Sequence, residues 1–231
     1  MKMSKLLTSL LAGSMLVAGG SAMAQTTSIT QTKHNLSSSG TGTIKSTDQT
    51  EICVFCHTPH DAIKTPAIPL WNHKLSTISS YGVYQSPTMN ATDIADVGAA
   101  SAAQVAVSNL CLSCHDGTVA LNSFNNPSNM RPTTTMQGVA ANGGIPLGNS
   151  NLGTDLTNDH PVNFTFDNTL WNADKTLHNP AGGLGGKVKL FAGKVQCASC
   201  HDPHASQDPS GKAFLRDTMV GSQLCLNCHN K

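Results

Sequence analysis

The sequence predicts a chain that is mostly loop and coil, with a few short helices and minor strands, wrapped around something other than its own apolar side chains. Three observations lead there. Of the 231 residues, 20 are glycine and 11 proline, while only 4% are aromatic and 12% charged. A chain of this length can normally bury one core, yet its large apolar side chains are too sparse and scattered to make one. Finally, all eight cysteines fall into four copies of one short pattern.

The first element is a leader over residues 1–24. Lys2 and Lys5 open it, Leu6 to Gly20 is mostly apolar, and Ala22-Met23-Ala24 puts small residues where a signal peptidase reads, so cleavage is expected before Gln25. The apolar run is short for a bilayer span and no second long one follows, so no transmembrane segment is expected in the mature chain. No cysteine near the cleavage site offers a lipid anchor. Residues 25–231, 207 in all, read as a single domain with an N-terminal arm over 25–50. Without Lys2 and Lys5 the charges are 12 basic and 13 acidic, and no basic block exists, so nucleic acid is not an expected partner.

The four copies are Cys53-Val54-Phe55-Cys56-His57, Cys111-Leu112-Ser113-Cys114-His115, Cys197-Ala198-Ser199-Cys200-His201 and Cys225-Leu226-Asn227-Cys228-His229. Each is C-x-x-C-H, the attachment signature of c-type haem. A disulfide scaffold does not require a histidine after every second cysteine, and paired-cysteine zinc sites do not require it in every pair. The spacing has a chemical reason. Two thiols add across the two vinyl groups of one haem, and two intervening residues let both sulfurs reach the same ring edge. The next histidine then falls beneath the iron as proximal ligand. The expected cofactors are four covalently attached haems c, held by Cys53, Cys56, Cys111, Cys114, Cys197, Cys200, Cys225 and Cys228, with His57, His115, His201 and His229 on the irons.

The remaining elements follow in chain order. Thr26 to Thr50 is rich in Ser, Thr and Gly and reads as an extended arm with little internal reason to fold. Pro59, Pro66 and Pro69 argue against a helix after the first motif. Ser101 to Leu110 is the best helical stretch, with Ser101 as N-cap, an apolar side of Ala102, Val105 and Leu110, and the second motif at its end. Asn122 to Asn158 reads as a long loop, Asn163 to Leu170 as a weak strand, and Lys187 to Val195 as a short strand leading into the third motif. First cysteines are separated by 58, 86 and 28 residues, so the last two haems are expected close together. Leu70-Trp71-Asn72 recurs as Leu170-Trp171-Asn172, and Cys53 to His60 shares C-x-x-C-H-x-P-H with Cys197 to His204, consistent with a two-haem duplication. About 52 residues per haem describe one haem-filled domain, not four helical cytochrome domains.

Each iron needs a sixth ligand or stays open. Six histidines remain, His34, His60, His73, His160, His178 and His204, against four loop methionines in the mature chain, Met89, Met130, Met136 and Met219. His60 and His204 each follow a proximal histidine by three residues across x-Pro, which holds the second imidazole away from its own haem and toward a neighbouring iron. His160 sits in Asn158-Asp159-His160-Pro161, where Asp159 can accept a ring hydrogen bond or cap a turn. In His34 the arm has a coordination reason to be ordered. With six spare histidines, all four irons are expected six-coordinate and low spin, at low potentials.

The chain resembles the doubled-CXXCH multihaem cytochromes of metal-reducing bacteria, especially the extracellular tetrahaem cytochromes that polymerise into conductive filaments. The matching segments are Lys33 to Ser37, Glu51 to His60, Pro69 to Asn72, Cys111 to Gly117, Asp155 to Pro161, Gln196 to His204 and Cys225 to His229. The resemblance implies a multihaem cytochrome c with closely spaced bis-histidine haems, taking His34, His60, His160 and His204 as the distal set and leaving His73 and His178 spare, an exchange of either with one of the four being the alternative. It also implies a secreted electron-transfer protein, not an enzyme, in an extracellular or cell-surface filament. Its partners would be identical subunits end to end, and other multihaem cytochromes or an extracellular electron acceptor. In that picture His34 ligates a haem across the junction, or within its own chain. A discrete periplasmic tetrahaem carrier is the alternative. An oxyanion reductase is disfavoured because it needs an iron with an open face.

Overall fold

The computed structural model describes residues 29–64, 70–94, 98, 106–127, 133–148, 150–204 and 214–230. The leader, Pro66, Pro69, Ser101 to Val105 and Met130 lie outside them. Among the described residues, six two-residue strands form three separate pairs. β1 (Lys45–Ser46) lies antiparallel to β3 (Met136–Gln137), β2 (Gly82–Val83) parallel to β4 (Asp155–Leu156), and β5 (Phe164–Thr165) antiparallel to β6 (Lys194–Val195). The α-helices are α1 (Val107–His115), α2 (Asn168–Ala173), α3 (Cys197–Cys200) and α4 (Gln223–Leu226). Strand pairs this short cannot stand alone. The buried apolar side chains gather in small separate clusters, of which the largest is Phe164, Phe166, Leu170, Leu177 and Val195. Others are built on Tyr81, Leu112 and Leu156, on Val54, Phe55 and Phe124, and on Trp71 with Leu110. The class is the expected one, mostly coil with few short helices and minor strands.

The helix expected to start at Ser101 is seen from Val107, and it continues through the whole second motif to His115. The Asn109 side-chain oxygen accepts the Ala106 N–H at 2.6 Å at its start, satisfying one of the donors a helix N-terminus leaves open. Leu110 and Leu112 are buried on it. The helix ends at Gly117, whose φ of +72° is the left-handed conformation that closes helices; a Cβ there would run into the Asn151 side chain.

Two strand expectations are trimmed. Of 163–170 only Phe164–Thr165 is strand, because the Asp167 carboxylate then accepts the Leu170 N–H at 3.0 Å and turns the chain into α2. Of 187–195 only Lys194–Val195 is strand, paired with β5. The duplication also fails at its second marker. Trp71 is buried in extended backbone bridging His57 and Ile63, whereas Trp171 lies in α2 with the Lys175 ammonium 3.4 Å above its ring.

The arm is a correction as well. Over 29–50 it is packed, with Asn35, Ser37, Ser46 and Gln49 buried. The Asn35 amide donates to the Thr30 carbonyl at 3.0 Å, and its side-chain oxygen accepts the Ser37 hydroxyl at 2.6 Å. Gly40 closes this turn where any Cβ would strike the Asn35 carbonyl. β1 and the Asp48 carboxylate, which accepts the Thr135 N–H at 2.9 Å, then tie the arm to 135–137. Small polar side chains that read as disorder here satisfy one another and the backbone locally.

Candidate functional site

Every C-x-x-C-H motif folds as one helical turn. The histidine N–H donates to the first cysteine's carbonyl at 2.7 Å in the first motif, 3.1 Å in the third and 2.9 Å in the fourth, and the second motif lies inside α1. One turn puts both sulfurs on one side with the imidazole just beyond them. None of the eight cysteines is joined to another in a disulfide.

Three of the four motif histidines face a histidine from elsewhere in the chain. The ring centres of His57 and His204 are 6.2 Å apart, those of His34 and His115 6.1 Å, and those of His160 and His229 6.4 Å. Two imidazoles bound to opposite sides of one metal, each at about 2 Å through a ring nitrogen, have centres about 6 Å apart. The spacing matches in all three pairs.

Hydrogen bonding sets which nitrogen each ring presents. A carbonyl only accepts, so Nδ1 carries the proton wherever it meets one: His115 donates to Ser150 at 2.7 Å, His160 to Pro161 at 2.9 Å and His34 to Pro203 at 3.3 Å. Nε2 is thereby left with its lone pair, the arrangement in which a second partner orients a metal-ligating histidine. The bond from His160 goes to Pro161, not to Asp159 as its sequence neighbourhood suggests. His34 also stacks on Phe214, ring centres 4.2 Å apart. Burial, with the neighbouring His115, pushes His34 down to about 4. Burial likewise lowers His57, with His204 beside it, and His201, with His115 and Arg216 beside it. All are therefore neutral at neutral pH, the form a metal binds.

His34, expected to reach a haem of its own chain or of a neighbour, faces His115 of its own chain. Of the predicted set, His60 and His201 are not brought together; both residues are exposed, and although His115 is near enough to His201 to lower it, neither has a facing imidazole at iron-spanning distance among the described residues. His178 is exposed. His73 is buried with both ring nitrogens against carbonyls.

The thiols run in sequence order. Cys56 of the first motif lies within electrostatic reach of Cys114 of the second, Cys111 within reach of Cys197, and Cys200 within reach of Cys225 and Cys228. Burial is the main cause that pushes the Cys56 and Cys228 thiols up to about 11. α1 and α3 are locked directly: the Ser108 hydroxyl donates to Gln196 Oε1 at 2.5 Å and accepts the Cys197 N–H at 3.1 Å.

The donor set fits a macrocycle-bound iron. Among the described residues no three His, Cys, Asp or Glu side chains converge on one point, so the sites are opposed pairs, as axial ligation requires, and not the clusters a bare ion needs. Beside His57, with ring centres 6.0 Å apart, Trp71 holds a buried indole N–H with no acceptor from the chain; haem propionates are acceptors of the kind it lacks. Sequence reading took Trp71 only as a repeat marker and had no signal for Phe214 or Arg216.

Residues 189–231, which contain the third and fourth motifs, match the family described as the doubled CXXCH motif. No curated protein matches the chain. The chain thus carries a multihaem c-type cytochrome-like feature, and its CXXCH motifs indicate covalently attached c-type haem and an electron-transfer role.

Proposed function

We propose that the chain holds four haems c in a continuous row and conducts electrons through them without transforming a substrate. The observation that carries this is the set of three opposed imidazole pairs, His57–His204, His34–His115 and His160–His229, at iron-spanning distance. Each haem supplies an iron that exchanges one electron. The protein's part is to fix both axial imidazoles and place successive attachment sites side by side. The three sites closed on both faces by histidine leave no position there for an oxyanion. The test is haem content and spin state after expression in a host that matures c-type cytochromes. Four haems per chain, all low spin, are expected; two haems, or a dominant high-spin signal, would overturn the reading.

We further propose that the exported protein forms end-to-end assemblies in which His60 of one copy completes the His201 site of the next. Both residues are exposed, neither has a facing imidazole at iron-spanning distance among the described residues, and His60 flanks the first motif, one end of the attachment order. Closure of that site within the chain would instead give a discrete carrier. Electron microscopy of wild type and His60→Ala separates the two. Filaments abolished by the substitution support the junction, whereas monomers with four filled sites support the carrier.

A further inference from the structure

His73 is the buried histidine that the axial pairs leave out. It is 1% exposed, and both ring nitrogens face carbonyls: Nδ1 lies 2.9 Å from the Lys74 oxygen and Nε2 3.1 Å from that of Ala120. A neutral imidazole has one N–H and can donate to only one of them, whereas an imidazolium has two and satisfies both. The two carbonyls alone would favour the cation.

The charged group that acts on it is Asp116, the residue after His115. Asp116 is itself buried and accepts the Tyr81 hydroxyl at 2.6 Å, and the Thr118 N–H and hydroxyl each at 2.8 Å. Its hydrogen-bond donors are all neutral. By contrast Asp202, at the same place in the third motif, is paired with Arg216 at 3.1 Å. The Thr118 hydroxyl also lies 3.1 Å from that of Ser76 near the surface, so hydroxyls lead from solvent to Asp116. Against the two carbonyls and Asp116, which favour the cation, burial is the larger effect and holds His73 below the ordinary imidazole range. Burial thus favours the neutral form of His73 at neutral pH.

We propose that His73 binds one proton when the second haem site, at His115, gains an electron. The proposal rests on the haem reading above. A one-electron donor, a neighbouring ferrous haem or dithionite in vitro, is oxidised by one electron. The iron at His115 goes from ferric to ferrous, and a proton from water binds the lone-pair nitrogen of His73; no other bond forms or breaks. The added electron would cancel the positive charge of the ferric site at His115, and beside the Asp116 carboxylate that follows it the cation of His73 then becomes easier to hold in a low-dielectric interior.

The test is spectroelectrochemical titration of the full haem-loaded chain between pH 5 and 8, after absorption and electron paramagnetic resonance establish its low-spin haems. In wild type one of the redox components should become harder to reduce as pH rises. The limit is tenfold per pH unit, or 59 mV for one electron. His73→Gln should flatten that component, and dithionite reduction should take up less proton from unbuffered solution. Asp116→Asn should make the same component easier to reduce and move its pH-dependent range downward. An unchanged pH dependence in His73→Gln with low-spin haems intact would place the proton on a propionate and overturn the inference. Wild type without low-spin haems would overturn the haem reading itself, and is seen before any titration.

Discussion

Replacing Ser108 with alanine tests whether α1 and α3 hold the second and third attachment sites together. Ser108 has no exposed surface, and its hydroxyl makes two bonds across the contact, one donated to Gln196 Oε1 and one accepted from the Cys197 N–H. Alanine removes both. Gln196 Oε1 keeps the Ser108 backbone N–H at 3.3 Å, so its loss is about 1 kcal/mol for one hydrogen bond. The Cys197 N–H loses its acceptor at the start of a helix, at a cost of about 1–3 kcal/mol for a stranded buried donor. Together these come to roughly 2–4 kcal/mol, which at a urea dependence of about 2 kcal/mol/M lowers the unfolding midpoint by about 1–2 M. Urea unfolding of the haem-loaded protein, followed by far-ultraviolet circular dichroism and by the Soret band, measures it. A midpoint within about 0.3 M of wild type would show that this contact does not hold the sites together.

Single alanine substitutions of His34, His160 and His204 should each leave one site without its second axial imidazole, seen as one high-spin or water-ligated haem by electron paramagnetic resonance. His178→Ala should leave the spectrum unchanged. Gly117→Ala should lower the urea midpoint by an amount equivalent to about 1–3 kcal/mol, since alanine at positive φ is strained and meets the Asn151 side chain. Because burial depresses His73 in the folded state relative to an ordinary 6.5, the unfolded chain binds the extra proton as pH falls below about 6.5, and stability must fall with it. Midpoints of the oxidised protein measured from pH 7 to 5 should decline, and His73→Gln should decline less.

The attachment chemistry was legible because it is local: C-x-x-C-H fixes one helical turn wherever it occurs, and the four turns look alike. The class of fold was legible from composition, since a chain so poor in aromatic side chains offers only the small separate clusters seen around Phe55, Trp71, Leu112 and Leu170. Partnerships between distant residues were not. Nothing in the neighbourhood of His34 points to His115, and the tempting reading of the Ser/Thr-rich arm failed because Asn35, Ser37 and Gln49 are buried through local hydrogen bonds that composition cannot express. The shared Leu-Trp-Asn triplets misled for the opposite reason: Asp167 caps a helix before the second, and the first follows an extended path past His57. His60 and His204 share their local sequence yet differ in placement, so the x-Pro spacer by itself does not choose the ring a histidine meets.

The ring of His34 rests on Phe214 and bonds to the Pro203 carbonyl, 169 positions further along the chain. The first motif, likewise, receives its facing imidazole from His204. During synthesis or export, then, the first two motifs emerge complete in cysteines but without the far segment that finishes their surroundings. Closing so long a loop is entropically costly and slow, which leaves an interval in which the early motifs stay open to the enzymes that attach haem. The same wiring makes the molecule intolerant of late truncation. A chain stopped at Lys194 encodes two whole attachment signatures, yet lacks His204, Pro203 and Phe214. Proteolysis should find it open throughout, where two self-sufficient halves would leave a resistant core.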